Sequence, residues 1–116
     1  MTNEECMDSI LWSVKKSIGL DPNYEVYDAD ILIHINSILG ICAEMGAGKR
    51  GFTVLDSTSQ WTDFVSCVDL IPEIRPYVAL RVKKAWDTML SGTQLQVINE
   101  ELKEYEWRIY THMDLM

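Results

Sequence analysis

Apolar positions recur at helical spacing from about Glu4 to Ile18, where Met7, Ile10, Leu11, Val14 and Ile18 fall on one face. Gly19 and Pro22 end that pattern. A polar connector follows over 21–28. Its Tyr24, Val26 and Tyr27 are expected to pack back on the body of the protein, and Asp28 or Asp30 is placed to cap the next helix. From Ala29 to Met45 the chain is apolar nearly all round, through Ile31, Leu32, Ile33, Ile35, Ile38, Leu39, Ile41 and Cys42. A helix of that kind is buried by neighbours on several sides, in its own domain or in an oligomer. The β-branched content also allows a strand, but the unbroken length favours helix.

Gly46, Gly48 and Gly51 then enclose Lys49 and Arg50 in a loop. Phe52 to Leu55 is strand-like but too short to build a sheet, so a short extended or β-ribbon arm is expected near residues 51–56. Trp61, Phe64, Val65 and Val68 suit a short amphipathic helix capped by a hydroxyl from Ser57, Thr58 or Ser59. A third long helix is predicted over about Leu70 to Met89, with Ile74, Val78, Val82, Ala85 and Met89 on one stripe and Trp86 beside it. Pro72 fits its first turn, whereas Pro76 bends it or marks its true start. Beyond Ser91 and Gly92, the spacing of Leu95, Ile98, Leu102, Tyr105, Ile109 and His112 draws a narrow seam on a last helix from about Thr93 to His112. The fold class is therefore all-α, one small bundle of about four main helices over residues 1–116, a length that holds one core and not two.

Composition narrows the function classes. A formal charge of −8 opposes a role in gripping phosphate backbones, which needs clustered Lys and Arg. Cys6, Cys42 and Cys67 are odd in number and widely spaced, so they read as reduced thiols in a chain made in a cytosol rather than as a disulfide framework or zinc site. The opening Glu4, Glu5 and Asp8 do not resemble a secretion signal, and no apolar run reaches the roughly 20 residues of a membrane span, so no membrane partner is expected. Charge is unevenly divided. Residues 1–30 hold seven acids and two bases, 73–98 two acids and four bases, and 99–116 five acids and two bases. In a monomer this balances internally; in a ring, the basic Arg75, Arg81, Lys83 and Lys84 of one subunit would meet an acidic end of the next.

Candidate catalytic chemistry is thin. Gly48-Lys49 ends like a phosphate-binding loop, but Ala43 stands where the motif needs its first Gly and Arg50 where it needs Ser or Thr. Asp30 and His34, one helical turn apart, could supply two metal ligands, and two ligands do not make a site. Cys42 or Cys67 could be imagined as a nucleophile with His34, but no basic neighbour or helix terminus marks either as activated. No catalytic residue, cofactor or metal is assigned. Trp12, Trp61, Trp86 and Trp107 are more than one compact core is expected to hide, and at least one is expected at a subunit contact.

These residues carry a family resemblance. The run Asp28-Ala29-Asp30-Ile31-Leu32-Ile33-His34-Ile35-Asn36-Ser37 is followed by Gly46-Ala47-Gly48, Gly51-Phe52 and Trp61-Thr62-Asp63-Phe64. The segment Tyr77 to Lys83 and Glu104-Tyr105-Glu106-Trp107-Arg108 complete the pattern. In order and spacing they resemble head-tail connector (adaptor, head-completion) proteins of long-tailed phages of Gram-positive hosts, over about residues 6–110. Relatives commonly have prolines after the aromatic-Asp pair, where this chain has Thr88 and Met89 after Trp86-Asp87; Pro76 also departs from a helix-compatible position. The resemblance implies a non-enzymatic virion protein at the head-tail interface. It implies a homo-oligomeric ring, dodecameric on the portal, that docks after DNA packaging and extends the channel. Its partners would be itself, the portal protein, a tail-completion or head-closure protein, and DNA passing without sequence-specific binding. The surfaces expected to reach neighbours are the loop from Ala47 to Phe52, the chain termini, and Lys49, Arg50, Phe52, Trp61, Arg81, Lys84 and Trp107. Two other classes remain open to the sequence: a non-viral helical interaction or regulatory module, and a small metal or thiol enzyme centred on His34.

Overall fold

The computed structural model describes residues 8–114. Among these residues five α-helices run in order: α1 (Ile10–Ser17), α2 (Asp28–Glu44), the short α3 (Trp61–Phe64), α4 (Ile71–Trp86) and α5 (Gly92–Asp114), with a 3-10 turn at Val68–Leu70 leading into α4. The expected opening of α1 near Glu4, including Met7, lies outside the described residues. The all-α expectation holds. Among the described residues the β-ribbon arm does not form: pairing is limited to isolated bridges at Ser9–Gln60 and Gly48–Val65.

Helix α4 is the centre of the bundle, in contact with α1, α2, α3 and α5. Its Ile74, Tyr77, Val78 and Val82 are fully buried among Ile10 and Val14 of α1, Ile31, Ile35 and Leu39 of α2, and Ile98, Leu102 and Ile109 of α5. Each such aliphatic side chain contributes about 1.5–3 kcal/mol, far more than any surface ion pair in the molecule. The predicted stripe holds for Ile74, Val78 and Val82 but not for its end. Ala85 is exposed and Met89 is 88% exposed, because the helix stops at Trp86 and Asp87 turns to extended backbone. The Asp87 side chain then accepts the Met89 N–H, fixing that exit. Pro72 sits in the first turn of α4, as expected, and Pro76 is accommodated inside a helix that continues past it.

Helix ends follow local chemistry. Ser9 caps α1 by accepting the Trp12 N–H, and Ser91 and Gln94 cap the start of α5 reciprocally. Gly19 and Gly46, both at φ +86°, end α1 and α2. After Gly46 the Ala47 N–H reaches back to the Cys42 carbonyl, and after Gly19 the Leu20 N–H reaches back to that of Lys15. The expected hydroxyl cap on α3 is replaced by Asp63, which accepts the Gln60 N–H from inside the helix. Helix α3 also ends earlier than its pattern suggested, because Gly48 and Val65 bridge there and Val65 is extended.

Three polar or steric anchors fix the connections. Lys15, 1% exposed, donates to the Pro22 carbonyl (2.9 Å) and the Tyr24 carbonyl (2.7 Å) and pairs with Asp28 (2.7 Å). The 21–28 connector therefore packs largely by its backbone: of the side chains expected to pack back, Tyr27 does so on Trp86 of α4, while Tyr24 and Val26 stay largely exposed. Asn36 of α2 holds Val54 from both sides, donating to its carbonyl (3.0 Å) and accepting its N–H (2.7 Å), which keeps the 52–55 segment extended without a partner strand. Gly48 lies flat on the Phe64 ring: a Cβ there would fall 2.1 Å from that ring.

Lys15→Met leaves Asp28 and two carbonyls without their cation and is expected to lower the unfolding free energy by about 2–4 kcal/mol in urea denaturation. Gly48→Ala is expected to destabilise by about 1–3 kcal/mol through overpacking against Phe64. Gly40→Ala, in α2 with nothing within 4 Å of the new Cβ, is expected to stabilise by about 0.5–1 kcal/mol in the same assay.

Candidate functional site

The expected interface residues fall on several elements. Lys49 and Arg50 are exposed at the tip of the Gly-flanked loop. The base of that loop is fixed by the Lys49 N–H on the Phe64 carbonyl (2.9 Å) and the Ser66 N–H on the Ala47 carbonyl (3.0 Å). Gly51, at φ +77°, lets the chain turn back. Phe52 is half-buried, its ring 5.4 Å from that of Phe64, so it serves mainly as the seat of the loop. Trp61 is 1% exposed, and its indole N–H donates to Ser13 (3.0 Å), whose hydroxyl donates to the Ile10 carbonyl (3.2 Å). That tryptophan belongs to the core of the single chain.

Arg81 and Lys84 share a surface groove between α2 and α4 with His34, Ser37, Ile38 and Ile41. Arg81 is half-buried and donates to the Tyr77 hydroxyl (3.2 Å), while Lys84 is exposed at the rim. Burial pushes the Tyr77 phenol above its ordinary range, against the opposing pull of Arg81. The same burial pushes the Cys42 thiol up to about 12, with Arg81 again lowering it in part. Trp107 is 67% exposed on α5, with Tyr110 (53%) one turn on. The neighbouring Glu104–Arg108 pair, at 2.7 Å, is solvated as expected from its spacing.

An aromatic ladder that the sequence did not reveal leads into the α2–α4 groove. Tyr24 meets Tyr27 edge-on (5.9 Å between ring centres), Tyr27 meets Trp86 (5.5 Å), and Trp86 meets His34 (6.5 Å). Tyr24 and Tyr27 are 51% and 42% exposed, and Val26 beside them is 68% exposed. Tyr24, Tyr27 and His34 are close in sequence but Trp86 is distant, and the Lys15 anchor on the Pro22 and Tyr24 carbonyls and Asp28 holds the connector where the tyrosines reach it. The result is an apolar, aromatic surface continuous with a cationic groove.

A family model described as phage connector protein matches residues 10–115. The chain belongs to the phage connector protein family. No curated protein and no solved structure matches it. Membership places it in a structural class of virion component, in line with the head-tail connector resemblance of the sequence. The connector fold also bears on the enzyme alternatives. His34 packs its ring against Trp86, and the grouping of metal-type side chains found among the described residues includes neither His34 nor Asp30. Cys42 is 0% exposed with its thiol held protonated, so it is no nucleophile. No helix among the described residues is long and apolar enough to cross a membrane.

Alkylation with iodoacetamide at pH 8, read residue by residue by mass spectrometry, is expected to modify the half-exposed Cys67 and leave Cys42 untouched until denaturant is added. Rapid labelling of Cys42 in the native protein would contradict its placement.

Proposed function

We propose that copies of this chain assemble as a ring beneath the phage portal, extend the DNA channel and join the packaged head to the tail. The observation that carries this reading is the connector-family match over residues 10–115, nearly the whole chain. Surface chemistry supports it. Tyr24, Val26, Tyr27, Trp107 and Tyr110 leave apolar and aromatic area on the surface, the composition that anchors protein interfaces.

The contact is heterologous. The cationic groove of Arg81 and Lys84, flanked by the aromatic ladder, accepts the acidic, aromatic outer face of α5 of the next subunit, where Glu100, Glu104 and Trp107 are exposed. Such a contact closes into a ring when its rotation divides a full turn, and the twelve-fold portal expected from the family resemblance sets that number. Lys49 and Arg50 stand at the tip of a loop anchored at its base, a shape suited to insertion into the portal or into the tail-completion protein that follows. The net charge of −8 suits a channel along which DNA slides without being gripped. On this reading the protein is made in the bacterial host cytoplasm and ends in the virion.

Mixing the protein with its phage's portal and imaging by electron microscopy tests the reading. Annular density of subunits on the portal vertex is expected. A discrete small oligomer with no affinity for the portal would instead indicate a regulatory module. Trp107→Ala and Lys84→Glu, both at exposed positions, are each expected to weaken assembly on the portal by at least about tenfold, the loss typical of an interface anchor, while leaving the melting temperature unchanged.

A further inference from the structure

Cys67, Asp69 and His112 converge from two elements distant in sequence. Cys67 stands in extended backbone (φ −147°, ψ 132°) just before the 3-10 turn that holds Asp69, and His112 lies in the last turn of α5. The Cys67 sulfur, an Asp69 carboxylate oxygen and a His112 ring nitrogen all lie within 4.8 Å of one another. Cys67 and His112 are half-buried and Asp69 is exposed. Among the described residues, none of the three side chains takes part in the ion pairs, which involve Lys15 with Asp28 and Arg108 with Glu104. The cluster is therefore not an internal salt bridge, and it lies apart from the groove and the ladder.

We propose that these three side chains bind a zinc ion, with water in the fourth position. The donor set is the reason. Thiolate, imidazole and carboxylate together suit a borderline-soft, tetrahedral dication, whereas magnesium and calcium sites are built from oxygen. Zinc–ligand bonds of about 2.0–2.3 Å imply ligand atoms roughly 3.5 Å apart in a tetrahedron. Since no pair of the three is more than 4.8 Å apart, closing to that spacing asks for at most about 1.3 Å per pair, within reach of side-chain adjustment by Cys67, Asp69 and His112. Two anionic ligands neutralise the dication. Spacing along the chain hides the site, because Cys67 and Asp69 offer only a two-residue fragment and the third ligand arrives from the far end of α5.

The ion would tie the entry of α4 to the end of α5. Asp69 is exposed, so water would have access to the ion.

Titration of the full chain with cobalt(II), a spectroscopic stand-in for zinc, tests the proposal. One cobalt per chain is expected, with a sulfur-to-cobalt charge-transfer band in the near ultraviolet that zinc abolishes by displacement. Cys67→Ser is expected to remove the band, while Cys42→Ser and Cys6→Ser retain it. His112→Gln and Asp69→Asn are each expected to weaken binding by at least about tenfold, since even an outer partner of a metal ligand produces a loss of that size. Bound zinc is also expected to raise the melting temperature and to protect Cys67 from alkylation. Circular dichroism verifies that each variant stays helical, and Asp69→Asn, at an exposed position, provides a variant that keeps the fold. The proposal is overturned by the absence of stoichiometric binding, by a full band in Cys67→Ser, or by unchanged affinity in both Asp69→Asn and His112→Gln. None of these outcomes depends on ring formation or on the portal, so the metal site and the connector role stand or fall separately.

Discussion

The bundle depends on the burial of one stripe on α4. Ile74, Tyr77, Val78 and Val82 have no solvent contact, and α1, α2 and α5 each contribute side chains to the cluster that covers them. Because hydrophobic burial is proportional to area and indifferent to direction, it gathers the helices without fixing the path of the chain between them. Direction comes from a few polar and steric contacts placed at the connections.

Lys15, Asn36 and Gly48 supply that direction, each by a different physics. A buried ammonium has three hydrogens and tolerates no unpaired one, so Lys15 draws the Pro22 and Tyr24 carbonyls and the Asp28 carboxylate to itself. Asn36 offers a donor and an acceptor at the spacing of a backbone amide and so substitutes for a missing strand. Gly48 admits the flat face of Phe64 because it has no side chain. These contacts decide what the surface looks like. Anchoring the 21–28 backbone sets Tyr27 on Trp86, leaves Tyr24 and Val26 largely exposed, and creates the aromatic face on which the assembly proposal draws.

The tryptophans divide along the same lines. Trp61 has a partner for its indole N–H and sits inside; Trp86 fills the step between Tyr27 and His34; Trp107 stands outside on α5 with Tyr110. On the assembly proposal, this division separates residues that hold the subunit together from exposed residues that would meet its neighbours. The α4 cations fall on both sides, since Arg81 supports Tyr77 from within the fold while Lys84 is exposed at the groove rim.

Sequence alone determined the helical class, the position of the apolar α2, the buried stripe of α4 through Ile74, Val78 and Val82, the seam of α5 through Ile98, Leu102 and Ile109, and the glycine stops at Gly19 and Gly46. These are local properties: periodicity and positive-φ tolerance are written within a few residues of where they act. It also carried the family pattern, which is an ordering of local motifs. Tertiary structure decided what depends on distant partners. It ended α3 at Val65 by pairing that residue with Gly48, kept the 52–55 segment from becoming a ribbon, hid Trp61, exposed the connector aromatics, and brought Cys67 and Asp69 to His112. No residue announces such contacts by its own type, because whether a lysine is solvated or buried, or a tyrosine inside or out, is set by the groups that packing places around it.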